Sequence, residues 1–120
     1  MILIVDDHID TGTILARMLK RCGHDAVAVS SGPAALKLLE TTRPSVIVLD
    51  MMMPGMHGLE VLQRVRADAK VKDVPVIVYS ADHSEHTEQE ARGGGAQEFM
   101  VKGVVPWDRL CAMITRYATE

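Results

Sequence analysis

No apolar run in this sequence approaches the roughly 18 residues that a membrane-spanning helix needs, and Met1 leads directly into a short branched-aliphatic stretch rather than a charged leader. Nor is there an excess of basic charge. The 13 Lys and Arg residues are outnumbered by 16 Asp and Glu, for a net charge of -3 and a pI near 5.9. Such a chain has no field to draw it onto phosphate backbones or anionic lipid, so neither nucleic acid nor membrane is expected as a direct partner. Cysteine is sparse as well. Cys22 and Cys111 are far apart in the chain and belong to no CxxC or zinc pattern, so reduced thiols and a cytoplasmic setting are expected.

What the 120 residues do have is enough apolar material, 48%, for one core, so one domain over 1–120 is expected. Whether they are a whole protein or a piece of a longer regulator stays open, with Met1 on the side of the former. The apolar residues fall into short blocks. Ile2 to Val5, Ala26 to Val29, Val46 to Leu49, Val76 to Tyr79 and Phe99 to Val101 are strand-length runs rich in branched side chains. Between them lie helical stripes. Ile14, Leu15, Met18, Leu19 and Cys22 recur with a 3.6-residue period from Thr13, and Gly23 follows where a helix stops. Ser31 and Pro33 read as cap and first turn for Ala35, Leu36 and Leu39, with Pro44 ending the pattern. A loop from Met51 to Gly58 precedes a helix with Leu59, Leu62 and Val65 on one face. A polar helix over about Glu85 to Arg92 stops at Gly93 to Gly95. Pro106 suits the first turn of a last helix with Leu110, Ile114 and Tyr117 inward.

Five strands alternating with five helices predict an α/β fold, a flavodoxin-like doubly wound parallel sheet in the order 2-1-3-4-5 with helices on both faces. In that order a ligand binds between strands one and three, outside the carboxyl ends of the strands. Four of the five runs end in polar residues of chemical use: Asp6 and Asp7, Asp50, Ser80 and Lys102. Three carboxylates gathered at one edge repel unless a cation offsets them, and a shallow oxygen-lined pocket suits Mg2+. Lys102 adds a compact charge for a phosphate oxygen. An aspartate among such neighbours is a candidate nucleophile for phosphoryl transfer, and Asp50, at the centre of the edge, is the one predicted.

At these residues the chain resembles the receiver domains of two-component response regulators, over essentially its whole length. Ile2 to Asp7 is similar to the family's first strand with its acidic pair; Val46 to Asp50 with Met53, Pro54 and Gly58 is similar to its phosphoacceptor segment. Val78 to Ala81 resembles its fourth strand, and Gly95 and Ala96 with Phe99, Val101 and Lys102 its fifth. The resemblance implies that Asp50 accepts a phosphoryl group from a sensor histidine kinase or histidine phosphotransfer protein. It implies that Asp6, Asp7, Asp50 and the backbone carbonyl of Met52 hold Mg2+, directly or through water, and that Lys102 and Ser80 contact the phosphate. Ser80 and Phe99 would form the switch. Output would pass to a downstream protein through the face of the fourth helix, fifth strand and fifth helix, with a phosphorylation-dependent dimer as one form of it.

The chain departs from the pattern at Gly103, where the family usually places a proline after its lysine, often in a cis bond. A cis bond before another residue costs roughly 3 kcal/mol, so a trans bond or a more mobile loop is expected. His57 replaces the usual acid or amide before Gly58, and Met52 stands at the family's phosphate entrance. Two other readings compete. An aspartyl-phosphate phosphatase would usually space its acids as DxD and add a cap domain; a phosphorylation-independent pseudo-receiver is favoured only by Gly103. Bland readings apply elsewhere. Asp10 suits a helix cap, His83 and His86 solvated surface, and Trp107 core packing.

Overall fold

The computed structural model describes residues 1–119. Its elements are β1 (Ile2–Val5), α1 (Ile9–Arg21), β2 (Ala26–Val29), α2 (Gly32–Leu39), β3 (Val46–Leu49), α3 (Gly58–Ala67), β4 (Val76–Ser80), α4 (Glu85–Gly93), β5 (Glu98–Val101) and α5 (Trp107–Ala118). The strands form one parallel sheet in the order β2-β1-β3-β4-β5, as the sequence predicts. Every residue of β1, β3 and β4 is buried, whereas β2 and β5, at the edges, are partly exposed.

Because side chains alternate across a strand, the sheet divides its own residues between two cores. Leu3, Val5, Ile47, Leu49, Val76 and Val78 meet Leu39 of α2, Leu62 of α3 and Ala91 of α4 on one face. On the other, Ile2, Ile4, Val46, Val48, Ile77 and Tyr79 meet Leu15 and Leu19 of α1 and Leu110 and Ile114 of α5. Each fully buried aliphatic side chain contributes about 1.5–3 kcal/mol relative to exposure, so continuous burial of three short strands compensates for their length.

Several boundaries differ from the sequence reading. Helix α1 begins at Ile9, one turn before Thr13, because its first turn is polar or exposed and carries no apolar stripe; Ile9 is 69% exposed. Of the stripe predicted for it, Ile14 and Cys22 face solvent. Pro106 is the N-cap of α5 rather than part of its first turn. Ser31 caps α2 by accepting a hydrogen bond from the Ala34 N–H at 3.2 Å, as expected. Trp107 packs against the α1/α5 core with its ring 5.8 Å from that of Tyr79.

Gly58 ties the fold to the carboxyl edge of the sheet. Its N–H donates to the Met51 carbonyl at 3.1 Å, and a Cβ there would collide with the Asp50 carbonyl and lie 2.6 Å from the Met51 Cα. Backbone cannot yield as a flexible side chain can, so Gly58→Ala is expected to lower the unfolding free energy by about 2–4 kcal/mol, read by urea denaturation. A loss below about 0.5 kcal/mol would show that α3 can withdraw freely from the end of β3.

Candidate functional site

The register of the sheet assembles the site. Val5 pairs level with Leu49 across β1 and β3, so the next residues, Asp6 and Asp50, emerge side by side. The Asp50 N–H continues the ladder to the Val5 carbonyl at 2.9 Å. On the other side, Ser80 pairs with Val101, and the Lys102 N–H donates to the Ser80 carbonyl at 2.9 Å, which brings the lysine to the same edge.

Lys102 Nζ lies 2.6 Å from Asp6 Oδ2 and 3.3 Å from Asp50 Oδ2, with both carboxylates almost wholly buried. The ammonium also stands 5.8 Å from the centre of the Tyr79 ring, a cation–π distance that the sequence did not reveal. Burial opposes charge on Lys102, but its hydrogen bond to Asp6 and the negative charges of Asp50 and Asp6 outweigh this and raise its pKa. The lysine is thus firmly cationic. Gly103 does not displace it: no peptide bond among the described residues is cis, and Gly103 takes φ +79°, a conformation glycine adopts without the penalty of a side chain.

Asp50 Oδ1 accepts a hydrogen bond from the Met52 N–H at 3.1 Å, and Asp6 Oδ1 one from the His8 N–H at 2.9 Å. Burial pushes the Asp50 carboxyl up to about 6, against the opposing pull of the Met52 N–H and Lys102, and the Asp6 charge adds to the rise. One donor atom from each of Asp6, Asp7, His8 and Asp50 lies within 4.8 Å of all the others. Three carboxylates therefore face one ammonium, leaving an excess of two negative charges. Asp7 Oδ1 is buried without a hydrogen bond, its neighbour being His8 Nδ1 at 3.3 Å. This oxygen-rich donor set, with one oxygen unpaired, fits a hard divalent cation.

The His8 ring lies against both acids of the pair, its Nδ1 3.3 Å from Asp6 Oδ1 and 3.3 Å from Asp7 Oδ1. Ser80 is wholly buried at the end of β4, and its Oγ accepts from the Asp82 N–H at 3.2 Å. Phe99 lies opposite Val78, half-buried against the core under α2, α3 and α4. Asp82 also accepts from Thr87 Oγ1 at 2.7 Å, and Ser84 caps α4 through the Thr87 N–H at 3.2 Å. That network begins two residues past Ser80 and was not read from the sequence.

The family model described as "Response regulator receiver domain" matches residues 2–115. The chain belongs to the response-regulator receiver family. It is 35% identical over 113 residues to the rice two-component response regulator ORR3, covering 92% of this chain and 86% of that protein. It is also 35% identical to the Bacillus subtilis alkaline phosphatase synthesis transcriptional regulatory protein PhoP, covering 88% of this chain and 43% of that one. Among solved structures, the Vibrio cholerae chemotaxis protein CheY4 superposes with a TM-score of 0.89 at 28% identity, over 97% of this chain and 96% of that chain. The Francisella response regulator 1452 receiver domain gives 0.88 at 26% identity, over 98% and 95%. Receiver domains are signalling domains of two-component systems that bind Mg2+ at an acidic pocket. In this receiver domain Asp6, Asp7, His8 and Asp50 make an acidic cluster that could hold a metal ion.

The raised Asp50 pKa has a thermodynamic consequence. With a folded value near 6 and an ordinary unfolded value near 3.8, the native state holds the extra proton between them. The contribution of Asp50 to stability therefore falls as pH rises from about 4 to about 6 and stays lowered above that. In chelator at pH 7.5, Asp50→Asn is expected to be more stable than wild type by on the order of 2 kcal/mol, a gap that closes toward pH 4. Added Mg2+ should stabilise wild type more than the variant. Equal stability of the two proteins at pH 7.5 in chelator would mean that Lys102 already offsets the buried charge.

Proposed function

We propose that Asp50 is the phosphoacceptor of this receiver domain and that it takes the phosphoryl group from a phosphohistidine of a sensor kinase or phosphotransfer protein. The observation that carries this reading is the buried Asp50 carboxylate held between Lys102 Nζ and the Met52 N–H, beside the Asp6–Asp7 pair. In the step, the phosphorus–nitrogen bond of the donor breaks as a phosphorus–oxygen bond forms at the Asp50 carboxylate, and the donor imidazole takes up a proton. Asp6, Asp7, Asp50 and the Met52 carbonyl would hold Mg2+. The ion would offset the charge gathering on the transferring oxygens.

The protein's own groups supply position and charge. Lys102 already contacts Asp50 and would pair with a phosphoryl oxygen. Ser80 would exchange the Asp82 N–H for the phosphate, and Phe99, one strand away, would repack with it. Having no hydroxyl, Phe99 would transmit the change by packing alone. The signal would leave through the face of α4, β5 and α5, toward a downstream protein or a second phosphorylated copy. A cytoplasmic setting accords with this donor and with the lack, among the described residues, of any helix long and apolar enough to cross a membrane. The pseudo-receiver reading loses its one support, because Lys102 reaches Asp50 despite Gly103.

Intact-mass measurement after incubation with acetyl phosphate and Mg2+ is expected to show one added phosphoryl group, about 80 Da, lost on treatment with base. The adduct should be missing in Asp50→Asn and in chelator. Unlabelled wild type, under conditions that label another receiver domain, would overturn the reading. Met52 governs the lifetime of the product in the same scheme. Its side chain is half-exposed and, with His57 and Thr87, lines a cavity between the β3–α3 loop and α4. An apolar wall there hinders water, so Met52→Asn is expected to speed dephosphorylation severalfold in a phosphate-release assay. An unchanged rate would remove Met52 from the mechanism.

A further inference from the structure

The two cysteines, 89 positions apart in the chain, come together in the fold, lining one cavity with the Cys22 side chain against that of Cys111. Cys22 is the C-cap of α1, its N–H held by the Met18 and Leu19 carbonyls, and its side chain is exposed. Cys111 lies in the second turn of α5 and is buried. Both line one cavity along the seam between α1 and α5, with Met18, Arg21, Ala112 and Thr115 around them. The seam is braced where His24 Nε2 meets Thr115 Oγ1 at 2.9 Å, while that hydroxyl donates to the Cys111 carbonyl at 2.8 Å.

We propose that Cys22 and Cys111 are a redox-sensitive pair whose disulfide closes across this seam and fastens α5 to α1. The division of labour follows from access. Burial pushes the Cys111 thiol up to about 11, and the Cys22 thiol beside it adds to the rise. Cys111 alone is therefore both shielded and almost fully protonated at neutral pH, which makes it inert toward a soluble oxidant. Cys22 is reachable from solvent and reacts first.

With a small-molecule disulfide such as glutathione disulfide as oxidant, the Cys22 thiolate attacks one of its sulfurs. A Cys22–glutathione mixed disulfide forms and one glutathione thiolate leaves. Cys111 then gives up its proton and attacks the Cys22 sulfur, expelling the second glutathione. The two protein thiols are oxidised, and the oxidant is reduced to two glutathione molecules. Disulfides of this kind inside cells are typically transient and regulatory, which suits a pair that is half exposed and half buried. The site is on the α1/α5 side of the sheet and shares no residue with the acidic cluster around Asp50.

The test is to treat reduced wild-type protein with excess glutathione disulfide and to follow intact mass and non-reduced peptide maps. The expected product is a monomer two hydrogens lighter, with one peptide linking Cys22 to Cys111, returned to the starting mass by dithiothreitol. In Cys111→Ala the reaction should stop at a lasting glutathione adduct on Cys22; in Cys22→Ser nothing should react. A lasting glutathione adduct on wild type, a dimer linked through Cys22, or two free thiols in excess oxidant would each overturn the proposal. These results are read on wild type, so they hold even if a variant folds poorly.

Discussion

A lysine ammonium 2.6 Å from one buried carboxylate and 3.3 Å from another holds together the carboxyl edge of this sheet, and the behaviour of the site depends on it. Ions taken out of water carry a desolvation cost that attraction must offset. Here the compensation is incomplete, because Lys102 serves two acids while Asp7 stands beside them with an oxygen that no hydrogen bond satisfies. Burial, with the Asp6 charge adding to it, raises the Asp50 pKa, and the uncancelled negative charge suits the pocket to a divalent cation.

That edge is also where the two halves of the sheet are joined. The ladder bond from Lys102 to Ser80 links β5 to β4, that from Asp50 to Val5 links β3 to β1, and the Lys102–Asp50 ion pair connects the two pairs of strands. From Ser80 the hydrogen bonds run on through Asp82 to Thr87 and the N-terminus of α4. This chain of partly buried hydrogen bonds connects the acidic edge to the first turn of α4.

The opposite face carries a different kind of chemistry. Helices α1 and α5 seal the second core, and their seam gathers the soft sulfur atoms away from the hard oxygen cluster. The acidic cluster lies at the carboxyl edge of the sheet and the two thiols on its α1/α5 side, so a hard cation and a thiol oxidant would address different atoms.

Much of this was legible in the sequence because short-range patterns report it. Branched runs such as Ile2 to Val5 and Val46 to Leu49, each stopped by an acid, identify buried parallel strands, and their alternation with helical stripes points to a doubly wound sheet, whose common five-stranded order is the one observed. Asp6, Asp7, Asp50, Ser80 and Lys102 could be named because each ends such a run. The start of α1 at Ile9 was not legible, since its first turn lies on the surface and shows no apolar period. Contacts between segments distant in sequence were equally hidden: His8 turned onto two acids, the Tyr79 ring beneath Lys102, and Cys22 beside Cys111. Sequence by itself determined the elements, their order and the chemical character of the edge, because those follow from local periodicity and residue type. Distances, burial and the resulting shifts in charge were decided only in the tertiary structure, because they depend on which side chains the packed helices bring together.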